Sequence, residues 1–262
     1  MAKKTGKTFG QYSPSRPSLV FHHYWGGSPA TFQHVLSQPG IEPFHKVLFH
    51  ARGWSPSTGP LDSNAYGIEA LSSDLSSIIS ETGLADHEGR FILIGHSMGA
   101  KVAQHYAATE PSPALKGLIL VAPAPLAGLN LPPEAKKQQR AAYQSEEALR
   151  FVLENVLTAG LGTLDSKDMN RCIQDSMRGN EAATAAWPEY ASAENLGELE
   201  ERIQVPVLVL RGDKDFEKDL VGRLGENLGW IQSSVEECGH LIPLEKPKRL
   251  ADEIRYFVGG LS

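Results

Sequence analysis

The hydrophobic positions of this chain follow two alternating patterns. Short apolar runs bounded by turn residues indicate buried β-strands, and they occur at Ser18 to His22, Lys46 to His50, Phe91 to Ile94, Leu118 to Val121, Val207 to Leu210 and Ile231 to Val235. Between strands, apolar residues recur at helical spacings of three and four, as at Ile68, Leu71, Leu75, Ile78 and Ile79. Strands that alternate with amphipathic helices predict the α/β class, with a doubly wound, mostly parallel sheet flanked by helices.

One block of the chain departs from this alternation. It has no strand signal, and its mixed-charge helical stretches lie near Glu134 to Leu157 and Ser166 to Met177. We therefore predict that residues 125–195 form a helical lid inserted over the strand ends, and that residues 1–124 and 196–262 form the core. The first 17 residues have little apolar periodicity, and we expect a frayed arm or a poor edge strand there.

The composition narrows the classes of partner. The 262 residues are 41% hydrophobic and 21% charged, with a formal net charge of −6 and a pI near 5.9. Because the chain has no basic stripe that could neutralise phosphates, we expect no nucleic-acid partner. The longest apolar runs have about five residues, whereas a bilayer span needs about 20, so we expect no membrane span. The sequence leaves the oligomeric state open.

The N-terminal residues and the cysteines bear on the compartment. Polar and small residues follow Lys3, Lys4 and Lys7, where a signal peptide would place its apolar segment, so we predict a cytoplasmic location. Cys172 and Cys238 are the only cysteines, lie far apart and lack metal-ligand spacing. Free thiols are therefore expected.

The candidate chemistry begins with Gly95-His96-Ser97-Met98-Gly99, which follows the apolar run Phe91 to Ile94 and precedes a predicted helix, Ala100 to Thr109. In a strand, turn and helix of this kind, the central serine is exposed as a nucleophile. Glycine is needed at Gly95 and Gly99 for a steric reason, since a Cβ at either position would collide with the neighbouring strand or helix. Ser97 is therefore the candidate nucleophile, and a helix N-cap is its alternative role.

A serine hydroxyl needs a base and a group that orients the base. Asp213 and Asp215 follow the run that ends at Leu210, and His240 follows the next predicted strand. Serine, then aspartate, then histidine is the chain order of hydrolases in which the serine lies between a strand and a helix. From these residues alone, either aspartate could be the acid.

The chain resembles the α/β-hydrolase fold superfamily, as a serine esterase-like or lactonase-like member with a helical lid. The resemblance runs from about Ser18 to the C-terminus and rests on the Gly95 to Gly99 motif, Gly212-x-x-Asp215 and Gly239-His240. It implies that Ser97 is the nucleophile, Asp215 the acid and His240 the base.

The resemblance also implies an oxyanion hole made of two backbone N–H groups, one of them from Met98. It selects Trp25 for the other. Tyr24 stands where the family commonly has glycine, which leaves the choice between Tyr24 and Trp25 open. We expect the substrate pocket to be lined by Tyr24, Trp25, Trp54, His96, Trp187 and Leu241, with core or lid packing as the alternative role of the tryptophans and of His96.

No cofactor or metal is expected. The pair His22 and His23 has no carboxylate or cysteine at ligand spacing nearby. The leading functional hypothesis is a serine hydrolase that cleaves an ester or lactone of a small to medium hydrophobic substrate through an acyl-enzyme. The alternatives are an acyltransferase or perhydrolase with the same triad, and a ligand receptor of hydrolase fold with slow turnover.

Overall fold

The structure is a computed structural model that describes residues 5–85, 90–216, 224–225 and 228–261. Within these residues the strands are Thr5–Phe9 (β1), Ser18–His22 (β2), Lys46–His50 (β3), Phe91–His96 (β4), Leu115–Val121 (β5), Val207–Gly212 (β6) and Ile231–Val235 (β7). These seven strands form one sheet in the order β1-β3-β2-β4-β5-β6-β7.

Every strand pair is parallel except β1 with β3, which is antiparallel. The predicted mostly parallel sheet is therefore confirmed, and the carboxyl ends of β2 to β7 lie along one edge of it. The expectation of a buried strand at Ile231–Val235 was wrong: Ile231 is 53% exposed. The reason is its place in the sheet, because among the described residues β7 pairs with β6 alone and forms an edge.

Alternate residues of the strands pack on opposite faces of the sheet. Val20 and Val47 belong to one apolar cluster, and their neighbours Leu19 and Leu48 belong to the other. The helices beside the sheet include Gln33–Leu36 (α1), Ile68–Glu81 (α2), Met98–Thr109 (α3) and Pro247–Gly259 (α9). Residues of α2 and α3 belong to the first cluster, and residues of α1 and α9 belong to the second. Helices on both faces complete the doubly wound architecture.

The segment between β5 and β6 contributes no strand to the sheet, and we refer to its residues 122–206 as the helical insertion. Its helices are Pro133–Ala142 (α4), Glu146–Val152 (α5), Ser166–Ser176 (α6) and Glu181–Glu189 (α7), and a π-helical turn, Leu153–Leu157, continues α5. Helices thus occur where the sequence predicts them. The division into a core and a lid at residues 125 and 195 stays a prediction.

A short helix, Ile242–Glu245 (α8), follows the last strand and precedes α9. Cys172 and Cys238 are both buried free thiols. Within the described ranges, no helix has the length and apolar character needed to cross a bilayer.

Candidate active site

Ser97 occupies a strained turn between β4 and α3. Its φ is 53° and its ψ is −113°, a conformation that non-glycine residues rarely adopt. An added Cβ would lie 2.4 Å from the Gly99 carbonyl oxygen if placed on Gly95, and 2.4 Å from the His22 carbonyl oxygen if placed on Gly99. The predicted steric need for both glycines is therefore confirmed, since one site faces the helix and the other faces β2.

Asp215 and His240 form a buried hydrogen-bonded pair. His240 Nδ1 lies 3.1 Å from Asp215 Oδ1 and 3.0 Å from Oδ2, and their side chains are 3% and 4% exposed, in the order His240 and Asp215. Because a carboxylate only accepts, the imidazole carries its proton on Nδ1 and donates it to Asp215. This arrangement leaves Nε2 free of the proton in the neutral ring, as a general base requires.

Asp213 has a different neighbour. Its Oδ1 accepts a hydrogen bond from the Cys238 backbone N–H at 3.1 Å. Asp213 therefore ties the end of β6 to the turn before His240, whereas Asp215 contacts the imidazole itself.

Ser97 and His240 line the same pocket, which is partly open to solvent. The core also contributes Tyr24, Trp25 and Phe216. The helical insertion supplies the remaining wall: Gln139, Ala142, Tyr143, Leu149, Val152, Leu153, Val156, Leu157, Ser176 and Trp187. An apolar wall with a few polar groups is typical of a small-molecule site.

The two candidate oxyanion donors lie on different elements. Met98 is the first residue of α3, so its N–H has no acceptor within the helix. Trp25 lies in a turn closed by the Gly27 N–H donating to the Tyr24 carbonyl at 2.9 Å. The Trp25 carbonyl accepts from the Tyr143 hydroxyl at 2.9 Å, and the two rings are in contact, with centroids 4.0 Å apart and planes tilted by 43°.

Three of the residues expected in the pocket lie behind its wall. His96 is fully buried, and its Nε2–H donates to the His240 carbonyl at 2.8 Å. Trp54 lines a separate small cavity that it shares with Trp25 and Trp187. Leu241 packs in a buried apolar cluster with Tyr24. Of the expected lining residues, the structure thus brings Tyr24, Trp25 and Trp187 to the pocket with Ser97.

The residues that the sequence analysis missed are mainly those of the insertion. Leu149, Val152, Leu153, Val156 and Leu157 follow one another at spacings of three and one, which is the pattern of one apolar helical face. The sequence therefore contained a signal for this wall. Tyr143 and Phe216 had no comparable signal, because each is a single aromatic residue whose contacts depend on the fold.

The neighbouring histidines are buried and bound to the backbone. His23 Nε2 accepts from the Ala51 N–H at 2.9 Å, and Nδ1–H donates to the Tyr24 carbonyl at 2.7 Å. Burial lowers the pKa of His22 to about 4 and that of His96 to about 3. Among the described residues, no group of three or more His, Cys, Asp and Glu side chains could hold a metal ion.

A family model described as serine aminopeptidase, S33, matches residues 14–219. The chain belongs to this family of hydrolases. Relatives of this S33-family protein include protein phosphatase methylesterase 1 of Candida albicans, 27% identical over 256 residues that cover 92% of this chain and 68% of the relative. A 2-succinyl-6-hydroxy-2,4-cyclohexadiene-1-carboxylate synthase of Enterobacter sp. is 25% identical over 248 residues, which cover 91% of this chain and 90% of that relative.

The fold also matches solved structures. An esterase from Exiguobacterium antarcticum has a TM-score of 0.80 at 18% identity, covering 98% of this chain and 96% of that structure. The resemblance to the α/β-hydrolase superfamily is thereby confirmed, and the S33-family protein is a hydrolase of this fold.

Proposed function

We propose that this protein is a serine hydrolase that cleaves a carboxylic ester or lactone of a small to medium hydrophobic substrate. The observation that carries the proposal is the Asp215–His240 hydrogen bond beside the pocket that Ser97 also lines. A pocket wall made largely of aliphatic and aromatic side chains supports an apolar substrate. The relative named as a methylesterase supports an ester bond as the target.

In the proposed reaction, His240 Nε2 takes the proton of the Ser97 hydroxyl as the oxygen attacks the carbonyl carbon. Asp215 holds the imidazole in the required tautomer and stabilises its charged form. The backbone N–H groups of Met98 and of Trp25 or Tyr24 donate to the developing oxyanion, where one donor is typically worth about 3 kcal/mol. His240 then protonates the leaving alcohol, activates water and releases the acid from Ser97.

The test combines turnover with labelling. We expect a panel of aryl esters and lactones to identify a substrate, and Ser97→Ala or His240→Ala to lower kcat by about three orders of magnitude or more. A fluorophosphonate probe should label Ser97, as mapped by mass spectrometry, and His240→Ala should slow this labelling. Wild-type activity in either variant would refute the proposal.

Acyl transfer is a second candidate, since the apolar wall limits the water that reaches an acyl-enzyme. Adding a primary alcohol during turnover distinguishes the two reactions: a transferase forms the new ester in preference to the acid. Slow turnover of every ester, with no dependence on Ser97, would favour the receptor hypothesis instead.

A further inference from the structure

Glu245 is an ionisable residue beside the candidate base that the proposed mechanism does not use. It ends the short helix α8, five residues after His240. Its Oε2 accepts from the backbone N–H groups of Gly239 at 3.0 Å and Ala159 at 2.8 Å. Its Oε1 accepts from the N–H of Leu241 at 3.0 Å. One carboxylate therefore holds the residues on both sides of His240, together with one residue of the helical insertion.

The insertion reaches the same loop from the other side. The Leu157 carbonyl accepts from the His240 N–H at 2.9 Å and from the Leu241 N–H at 3.1 Å. Leu157 is the last residue of the π-helical turn and also lines the pocket. The backbone of the His240 loop is thus hydrogen-bonded to the end of the pocket wall.

The two segments are also in close contact at Gly239. A Cβ added to this residue would lie 2.5 Å from the Thr158 carbonyl carbon and 2.7 Å from the Ala159 nitrogen. Only glycine allows the backbone of the histidine loop to approach the insertion this closely. The contact at Gly239 therefore brings Ala159 and Gly239 within reach of the same carboxylate oxygen.

The charge of Glu245 is relevant as well as its geometry. Burial is the largest influence on its pKa and raises it, while the hydrogen bonds from Gly239, Ala159 and Leu241 and the neighbouring His240 act to lower it. Since carboxylate oxygens accept all three backbone bonds, these contacts favour the ionised form. An anion at this position also favours the imidazolium form of His240 that arises during the reaction.

We propose that Glu245 is a positioning residue for His240, because its carboxylate fixes the backbone of residues 239–241 against residue 159 of the insertion. The inference rests on the proposed function of His240 as the base. Glu245 is not among the residues that line the pocket, and it acts by fixing the backbone that carries the imidazole of His240. Small displacements of a catalytic group are costly, since a misplacement of about 1 Å can lower a rate about 100-fold.

The experiment compares Glu245→Gln with Glu236→Gln, which removes the same charge from an exposed position four residues before His240. Gln has one acceptor oxygen, so its NH₂ group must face at least one of the three N–H donors. We expect Glu245→Gln to lower kcat for an aryl ester about 10- to 100-fold, with KM changed less than about three-fold. Glu236→Gln should match the wild type.

Two further readouts separate positioning from general stability. Rates are expressed per active site, titrated with the fluorophosphonate, so loss of folded protein does not count as loss of kcat. The acidic limb of the kcat/KM profile should move to lower pH in Glu245→Gln, because the imidazolium loses a nearby anion. The other groups facing the imidazole, Asp215 after β6 and His96 on β4, are unchanged in this variant.

The variant Glu245→Asp keeps the charge and both acceptor oxygens, so its kcat should lie between those of the wild type and Glu245→Gln. Wild-type kcat per active site in Glu245→Gln, or a Gln variant as active as the Asp variant, would overturn the proposal. If Ser97→Ala and His240→Ala were also fully active, the proposed function itself would fail. The two failures are therefore distinguishable.

Discussion

The strand ends and the helical insertion contribute to the pocket in different ways. Ser97, Asp215 and His240 lie after β4, β6 and β7, and each is at most 6% exposed. Parallel strands bring such loops to one edge because their carboxyl ends coincide. The insertion instead presents aliphatic side chains from α5 and the π-helical turn, with Tyr143 and Trp187. The core thus contributes the candidate catalytic residues, and the insertion contributes most of the apolar wall of the pocket.

Many polar contacts join the two regions, and three of them lie at the loop after β2. The hydroxyl of Tyr143 donates to the Trp25 carbonyl, that of Ser176 donates to the Gly26 carbonyl at 3.0 Å, and that of Ser28 donates to Asp175 at 2.6 Å. All three involve the loop after β2 that carries the candidate oxyanion donor. The insertion therefore also constrains the loop of the core that carries this candidate donor.

The largest expected effect lies in the core. Asp215→Asn should lower kcat about 10³- to 10⁴-fold, because an amide in place of the carboxylate favours the wrong tautomer of His240. Asp213→Asn is the matched control, since Asp213 accepts a hydrogen bond from the Cys238 backbone N–H, whereas Asp215 is hydrogen-bonded to the imidazole of His240. Steady-state kinetics on one aryl ester measures both variants. A larger loss at Asp213 would mean that the acid is assigned to the wrong residue.

A change in the insertion should alter selectivity rather than chemistry. Val156→Phe narrows the pocket, so we expect kcat/KM for a long acyl chain to fall about 10- to 100-fold relative to acetate. Fluorophosphonate labelling of Ser97 by a small probe should keep its rate. An equal loss for all chain lengths would show that the wall affects the reacting groups themselves.

The coupling between the regions predicts a smaller effect. Tyr143→Phe keeps the aromatic ring against Trp25 but removes the hydroxyl that donates a hydrogen bond to the Trp25 carbonyl. Loss of one hydrogen bond of about 1 kcal/mol corresponds to a fall in kcat of about five-fold, and we expect KM to stay nearly constant. Tyr190→Phe is the control, because that hydroxyl donates to the Ser63 carbonyl outside the pocket. Equal kinetics in the two variants would argue against a role of Tyr143 in placing Trp25.

Acid should destabilise the folded protein through the buried histidines of the core. The helical insertion contains no histidine and so does not contribute to this effect. The pKa values of about 4 for His22 and about 3 for His96 lie below that of an unfolded histidine, 6.5. Between these values the unfolded chain binds more protons, so stability falls as the pH drops below about 6.5. The fall is at most about 1.4 kcal/mol per pH unit for each histidine. Urea unfolding at pH 7, 6 and 5 measures it, and equal stability at all three would contradict the burial of neutral rings.

Much of the core could be predicted from the sequence because local patterns determine it. The apolar runs at Phe91 to Ile94 and Val207 to Leu210 are strands, and the spacing from Ile68 to Ile79 is a helix. The glycines around Ser97 indicated a tight turn for a steric reason that acts within a few residues. The run at Ile231 to Val235 misled the burial prediction, because whether a strand is central or at an edge depends on its pairing and not on its composition.

The sequence by itself determined the α/β alternation, the helical stretches near Glu134 to Leu157 and Ser166 to Met177, and the candidates Ser97, Asp215 and His240. Tertiary structure alone decided that Asp215 rather than Asp213 contacts the imidazole, that His96, Trp54 and Leu241 lie behind the wall, and that Glu245 bridges the His240 loop to the insertion. The physical reason is distance along the chain. Periodicity and turn chemistry act over a few residues, whereas these contacts join residues brought together only when the sheet and the insertion pack.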